Sequence, residues 1–234
     1  MVKFECKSCG KCCKSFGRGF LPLYEWEVPE LSKLAEARSI TLNIKPFEAL
    51  LDKKTNIAFA SMFGMYNEPC PFLIENKCAI YENRPLVCRK FPMFFTPSFA
   101  PNHKFDPSCF THCENFDNKK FLVDLLGLKE GEVIQKKTSE IQKVLRETYG
   151  SCYNSCFKSN ALDSFISKQI KEMSQNSKIK LRRISKFDIH KYKVVPFTEL
   201  LLKKGLVDEL GQIKFIEMLK DQTRFDKLIN QIEE

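Results

Sequence analysis

The chain has no apolar run approaching the roughly 18–20 residues that a membrane-spanning helix requires, so no membrane partner is expected. Its opening residues, Met1-Val2-Lys3-Phe4-Glu5-Cys6, lack the apolar stretch of a secretory leader, and a cytoplasmic setting is expected. Acidic residues are in the minority. The 29 Asp and Glu face 38 Lys and Arg, for a net charge of +9, which excludes an acidic coat or tail. Nucleotide-binding glycine loops are missing: neither G-x-x-x-x-G-K-[ST] nor G-x-G-x-x-G occurs. No Ser, His and Asp are spaced for a hydrolase triad. Histidine is scarce, limited to His103, His112 and His190. No repeat of fixed period and no low-complexity tract interrupts the chain. Finally, no cysteine lies beyond residue 156.

What is present is a chain of 234 residues, 43% hydrophobic and 12% aromatic, which argues for a folded core rather than disorder. It holds eleven cysteines, at 6, 9, 12, 13, 70, 78, 88, 109, 113, 152 and 156. An odd number cannot all be paired, and a reducing cytosol disfavours disulfides in any case. Cysteines at motif-like spacing in such a setting point to metal or redox chemistry. The distribution suggests a cysteine-cluster metal-binding domain over 1–116, a helical extension with a second Cys pair over 117–156, and a small α+β module over 157–234. The fold class expected is α+β, mostly helical with short strands: an irregular, metal-organised cysteine domain followed by a small C-terminal α/β or helical module.

Local patterns place the elements. Residues 4–20 read as an irregular loop loosened by Gly10, Gly17 and Gly19. Helical spacing covers Tyr24–Arg38, with Trp26, Leu31, Leu34 and Ala35 on one stripe. Ile57–Phe63 reads as a strand. Phe72–Ile74 and Ala79–Tyr81 flank a tight turn. A short helix follows Arg84-Pro85 and runs to Lys90. Helices are expected at Lys119–Leu128, Glu130–Thr148, Ala161–Ser174, Thr198–Lys204, Gln212–Lys220 and Arg224–Glu233. A short strand pair is expected between Ile179 and Val195.

The run Cys6-x2-Cys9-x2-Cys12-Cys13 has ligand spacing. Two intervening residues let neighbouring thiolates turn onto one ion or cluster, with inward amides that hydrogen-bond to sulfur. Three steps of this kind resemble the runs that hold iron–sulfur clusters and also half of a zinc site. Adjacent Cys12 and Cys13 point in different directions, so they can serve two centres. Lys3, Lys7, Lys11, Lys14 and Arg18 surround the run and favour thiolates.

A second block reads Cys70-Pro71-Phe72-Leu73, then Cys78-Ala79-Ile80-Tyr81, then Arg84-Pro85-Leu86-Val87-Cys88-Arg89-Lys90-Phe91-Pro92. With Phe4-Glu5-Cys6-Lys7-Ser8-Cys9-Gly10-Lys11-Cys12-Cys13 it resembles the YkgJ-like cysteine-cluster family, a zinc- or iron-chelating domain with the signature CxxCxxCC. The resemblance spans about residues 4–109 and implies Cys6, Cys9, Cys12, Cys13, Cys70, Cys78, Cys88 and Cys109 as ligands. Eight thiolates divide into two four-ligand centres, without saying which four go together. Cys113, Cys152 and Cys156 are additions to the family pattern. Cys109-x3-Cys113 and Cys152-x3-Cys156 each place two thiols one turn apart on a helix. They form a third centre, or an open-site cluster, or remain small buried apolar side chains.

The all-thiolate set leans toward iron–sulfur chemistry, two or three four-iron clusters, with zinc as the alternative. His103 and His112 read as loop residues rather than ligands. Arg84 and Arg89 flank Cys88 and are candidates for hydrogen bonds to a cluster or anionic ligand, or, for Arg84, for a pairing with Glu82 or Glu75 that holds the turn. Phe72, Tyr81, Phe91, Phe94 and Phe95 are expected to wall the centre from water.

The stretch Lys178–Lys193 carries seven Lys or Arg against Asp188 alone, interleaved with Ile179, Leu181, Ile184, Phe187 and Tyr192. It reads as a solvated strand face with an apolar back, or as a surface for nucleic acid or an acidic partner. Two functions remain. One is an electron-transfer, cluster-carrying or accessory metalloprotein with an unknown protein or redox partner. The other is an enzyme with an open-site cluster in protein or RNA modification, methyltransferase-linked as the family's flagellin lysine methylase relatives imply. A structural zinc protein is a further alternative.

Overall fold

A computed structural model of the chain describes residues 3–7, 9–14, 16, 19–93, 138–175, 181–184, 187–197 and 199, together with isolated positions between 113 and 133. In chain order the described elements begin with α1 (Lys11–Lys14), β1 (Leu21–Tyr24), α2 (Glu27–Glu36), β2 (Ile44–Asp52) and β3 (Ile57–Met65). A two-residue hairpin follows, β4 (Leu73–Ile74) and β5 (Lys77–Cys78), then α3 (Leu86–Arg89). The later elements are α4 (Thr138–Tyr149), α5 (Ser151–Gln175), β6 (Leu181–Ile184) and β7 (Lys193–Pro196). Helices and antiparallel strands together make this an α+β protein. No helix among the described residues is long and apolar enough to cross a membrane.

The chain forms two compact units. The first comprises Met1–Phe16 and Pro69–Ser164, the second Gly17–Glu68 and Phe165–Glu234. All eleven cysteines fall in the first.

The second unit is a sheet in the order β1-β3-β2-β6, with β7 also on β3. β3 is long enough to carry two partners end to end on one side. β1 pairs antiparallel with residues 62–65 and β7 parallel with residues 57–60. The Phe197 amide donates to Glu25 Oε2 at 2.6 Å, joining the ends of those two strands. On the other side β2 runs antiparallel to β3, with register shifts around Glu48. A bulge there accommodates Pro46, which cannot donate to a ladder. β2 ends in a tight turn organised by Asp52. Its carboxylate accepts from the Lys54 amide (3.0 Å) and the Thr55 hydroxyl (2.9 Å), and its carbonyl from the Asn56 amide (2.8 Å).

The structure departs from the sequence reading at several points. The segment Ile44–Asp52 carries helix-forming residues, Glu48-Ala49-Leu50-Leu51, and periodicity did not mark it as a strand. It is one because β3 and β6 pair with its two edges and Ala49, Leu50 and Leu51 are all buried. The strands expected between Ile179 and Val195 exist, but they do not pair with each other: β6 joins β2 and β7 joins β3. Ile184 and Ile189 enter the core with Ala49, Leu51, Ala58 and Ala60, whereas Phe187 is 73% exposed rather than internal. Arg182 and Arg183 face outward, and Arg183 reaches Glu48 at 3.7 Å. The expected Tyr24–Arg38 helix is shorter, because Leu21–Tyr24 is taken up by β1; Leu31 and Ala35 are its buried stripe. The helices expected at Lys119–Leu128, Thr198–Lys204, Gln212–Lys220 and Arg224–Glu233 lie wholly or mostly outside the described residues.

The first unit has little sheet. Its core is Phe4, Met93, Ile141, Leu145, Tyr149, Tyr153 and Cys156, with Cys113, Val123 and Cys152 packed against it. α4 and α5 meet at Gly150, whose φ of +47 and amide bond to the Arg146 carbonyl (2.8 Å) end α4 in a left-handed cap. α5 begins earlier than the Ala161 expected, so Cys152 and Cys156 ride on its first turns.

Candidate metal centre

Cys12 and Cys13 occupy α1, which starts where Gly10 bends the chain. The Gly10 carbonyl accepts from the amides of Cys13 (3.0 Å) and Lys14 (3.1 Å). Its φ of +72 is left-handed, which side chains resist, and a Cβ would stand 2.9 Å from Leu73 Cδ1 and 3.0 Å from the Asn76 carbonyl oxygen. Glycine is therefore needed both for the turn and for the close approach of the β4–β5 hairpin. The Cys70 amide donates to the Cys13 carbonyl at 2.8 Å, so the first cysteine run is tied backbone to backbone to the second.

The hairpin reverses at Glu75 and Asn76, with φ of +49 and +61, as a type I′ turn demands. It pairs Leu73 with Cys78. The Leu73 amide donates to the Cys70 carbonyl at 3.0 Å, so Cys70 and Cys78 belong to one rigid loop. Arg84 is extended, as a residue before proline is biased to be. The Pro85 carbonyl then accepts from the amides of Cys88 (2.9 Å) and Arg89 (3.1 Å), which fixes Cys88 in α3.

These pieces bring five thiols together. The Cys12 thiol donates to Cys13, and the Cys13 thiol to Cys70. The bond to Cys13 and burial push the Cys12 thiol far up. Cys13 stands at about 11: the bond accepted from Cys12 lowers it, while the bond donated to Cys70, burial and the charges of Cys70 and Cys78 raise it. Cys70 is held low, first by the bond from Cys13 and also by the Phe72 amide, against burial and the charges of Cys88 and Cys78. Cys70 thus accepts from Cys13, and that bond is the main cause of its lowering. Cys78 and Cys88 complete the group within electrostatic reach of it.

The same unit holds Cys6, Cys113, Cys152 and Cys156. The Phe4 amide donates to the Thr148 carbonyl at 2.8 Å, and the Phe4 ring packs on Tyr149 with centroids 5.8 Å apart. That anchor carries Cys6, two residues on, to within electrostatic reach of Cys152. Cys152 is raised to about 11, chiefly by burial, with Cys6 and Cys156 adding to the rise and Arg84 opposing it. Cys113 packs against the same core. Cys9 is exposed, and Cys109, His103 and His112 lie outside the described residues.

Arg84 does not serve as a carboxylate partner in the contacts described. Its guanidinium stacks 3.6 Å from the Tyr81 ring centroid, its Nε donates to the Tyr81 carbonyl at 2.7 Å, and its charge is felt at both Cys12 and Cys152. Arg89 Nε donates to the Arg84 carbonyl, a structural contact. Tyr81 does more than wall the site: burial raises its hydroxyl, and a hydrogen bond with Cys6 raises it further. Phe72 is buried and Phe91 half-buried, while Phe94 and Phe95 lie outside the described residues. Nothing in the cysteine spacing announced the Tyr81–Cys6 contact, the Phe72 amide on Cys70, or the Lys90 Nζ bond to Ser159 Oγ (3.0 Å) that ties the end of α3 to α5.

The donor chemistry suits a thiophilic metal. The described cysteines are all free thiols, half-buried or exposed save Cys156, served by an inward amide and a neighbouring cation. Hard ions such as Mg²⁺ or Ca²⁺ require oxygen ligands instead. As placed, no three His, Cys, Asp or Glu side chains among the described residues stand close enough to grip one ion, so ligation requires thiol rotamers to turn inward.

Residues 5–119 match the family CxxCxxCC, described as "Putative zinc- or iron-chelating domain". No curated protein and no solved structure matches the chain. The family match takes in the whole five-thiol group and stops short of Cys152 and Cys156. The cysteine-rich part of this chain, residues 5–119, is thus similar to the CxxCxxCC family over just under half of the chain's length.

Proposed function

We propose that this is a cytoplasmic iron–sulfur protein whose family centre draws its thiolates from Cys12, Cys13, Cys70, Cys78 and Cys88. The observation that carries this reading is the 2.8 Å bond from the Cys70 amide to the Cys13 carbonyl, which ties the run holding Cys12 and Cys13 to the loop holding Cys70 and Cys78, with Cys88 within electrostatic reach of Cys70. Those five residues come from three separate short elements, and the backbone bond from Cys70 to Cys13 holds the elements in register. A four-iron cluster takes four thiolates and buried amides at sulfur tune its potential. A fully thiolate-ligated cluster leaves no iron open to substrate, which favours electron transfer, cluster carriage or an accessory role with a protein redox partner over catalysis. Zinc held by the same thiolates is the competing occupant.

The basic stretch around β6 supports a solvated face more than a nucleic-acid surface. Arg183 is engaged by Glu48, and Lys191 by Asp188.

Anaerobic purification tests the reading. Absorbance near 400 nm with iron and acid-labile sulfide is the expected result. A colourless protein loaded with zinc contradicts the iron–sulfur assignment, and a protein that takes up neither metal contradicts the metal site itself.

A further inference from the structure

We infer that one end of the sheet in the second unit docks an acidic segment of a partner protein, with carboxylates on Lys53, Lys54, Arg182 and Lys193 and an apolar residue on Phe187. This is independent of which metal the thiols hold. The strand register carries it. Asp52, the last residue of β2, faces Ile57 at the start of β3 and Leu181 at the start of β6. Ile57 in turn faces Lys193 at the start of β7. The β2–β3 turn and the starts of β6 and β7 therefore share one end of the sheet, although they lie far apart in the chain.

Cations gather at this end. Lys53 and Lys54 sit on the turn, Arg182 on β6 and Lys193 on β7, and all four are exposed. The segment from β6 to β7 returns across a face of the sheet. Its inward anchor is Ile189, packed with Ala49, Leu51, Ala58, Ala60 and Ile184, and it leaves Phe187 exposed. Arg182 reaches Asp188 of that segment electrostatically. The described carboxylates here are already occupied. Asp52 is buried, and its oxygens accept from the Lys54 amide and the Thr55 hydroxyl. Asp188 is taken by Lys191. Lys53, Lys54 and Lys193 make no ion pair among the described residues. The result is a positive field around an exposed aromatic ring.

A stray surface side chain is the competing account of Phe187, since single exposed apolar residues are common. Two observations argue against it. Phe187 is 73% exposed and is the only exposed aromatic side chain among the described residues. It also lies between β6 and β7, the two strands that bring Arg182 and Lys193 to this end. An apolar anchor within a charged rim is the anatomy of a docking surface. Nucleic acid fits less well. A phosphate backbone is charged at every step and would meet Asp188, and a lone ring offers one base to stack where single-strand binders offer several. A peptide can set its carboxylates on the cations and an apolar residue on the ring.

The test is fluorescence anisotropy of the full chain with labelled peptides. One probe is a short peptide of Glu and Asp around a single Leu; its control carries Gln and Asn in place of the acids. The acidic peptide is expected to bind about tenfold tighter than its control, with an affinity that falls as salt rises. Arg182→Glu/Lys193→Glu and Lys53→Glu/Lys54→Glu should each weaken it about tenfold, and Phe187→Ser about fivefold. Lys45→Glu, exposed at the opposite end of β2, should keep wild-type affinity. Circular dichroism accompanies each variant. Should a charge-reversed variant not fold, Phe187→Ser and the two peptides on wild type decide. Equal affinity for the two peptides overturns the proposal, as does undiminished binding in any of the three weakened variants or an equal loss in Lys45→Glu. A single-stranded DNA oligonucleotide that binds tighter than the acidic peptide overturns the protein partner in favour of nucleic acid.

Discussion

The sheet unit and the cysteine unit are held together differently. In the sheet unit, β3 is paired along both edges, and Leu23, Ala58, Ala60 and Met65 are wholly buried. Backbone ladders and apolar burial, about 1.5–3 kcal/mol for each large side chain, account for its order. Around Cys12, Cys13, Cys70, Cys78 and Cys88 the cysteine unit has one hairpin of two-residue strands and two one-turn helices. Segments so short do not stabilise themselves. Its apolar core gathers mainly on α4 and α5, joined by Phe4 and Met93. The lesson is that Lys11–Lys14 and Cys70–Arg89 have little packing of their own, and under the proposed reading metal at their thiols supplies the cross-link.

The largest expected effect breaks this contrast directly. Replacing Cys13 and Cys70 together by Ser removes two of the five thiols assigned to the family centre. Structural metal sites contribute on the order of 10 kcal/mol to small domains. The variant should lose the family centre's metal, read by elemental analysis, and the order of Cys70–Arg89, read by proteolysis, while Leu21–Met65 stays resistant.

Next come paired cavity variants. Leu145→Ala in the cysteine unit and Leu51→Ala in the sheet unit each remove a buried side chain and should each cost about 2–5 kcal/mol in thermal or denaturant unfolding. Leu51→Ala should leave metal content unchanged, since Leu51 packs among the sheet residues Ala49, Ala58 and Ala60.

A matched pair of glycines sharpens the comparison further. Gly10 and Gly19 have nearly the same backbone, φ +72 and +73, but a Cβ at Gly10 meets Leu73 and Asn76 while one at Gly19 meets nothing within 4 Å. Gly19→Ala should cost about 1 kcal/mol, the left-handed penalty alone. Gly10→Ala should cost about 2–3 kcal/mol and slow metal uptake, because the hairpin must move away from α1. Equal effects at both positions would show that the close approach is unimportant.

Smallest is Arg183→Ala. The Arg183–Glu48 pair is exposed on both sides, and such pairs contribute about 0–1 kcal/mol. Unchanged stability and unchanged metal content are expected.

The sequence disclosed the local chemistry better than the long-range arrangement. Ligand spacing is a property of a few adjacent residues, so Cys70, Cys78 and Cys88 could be read as one block, and the turn at Glu75-Asn76 from its flanking apolar residues. The placement of Cys6 could not. It depends on the Phe4 amide finding the Thr148 carbonyl, a contact between distant parts of the chain. β2 was hidden for a related reason: Glu48-Ala49-Leu50-Leu51 has helical propensity, and only the two neighbouring strands override it. The pairing of β6 and β7 was obscured because nearness in sequence suggests a hairpin, while β3 offers a free half-edge that no local pattern reveals. Tyr81 was visible as an aromatic residue but not as a hydroxyl aimed at Cys6.

The central claim is that metal at the thiols orders one unit and not the other. Hydrogen exchange, followed by mass spectrometry on the full chain with and without anaerobic chelation, measures this in one experiment. Removal of metal should release the amides of Cys70, Leu73, Ala79 and Cys88 to rapid exchange while those of β2 and β3 remain protected. Equal protection of both units before and after chelation would contradict the account.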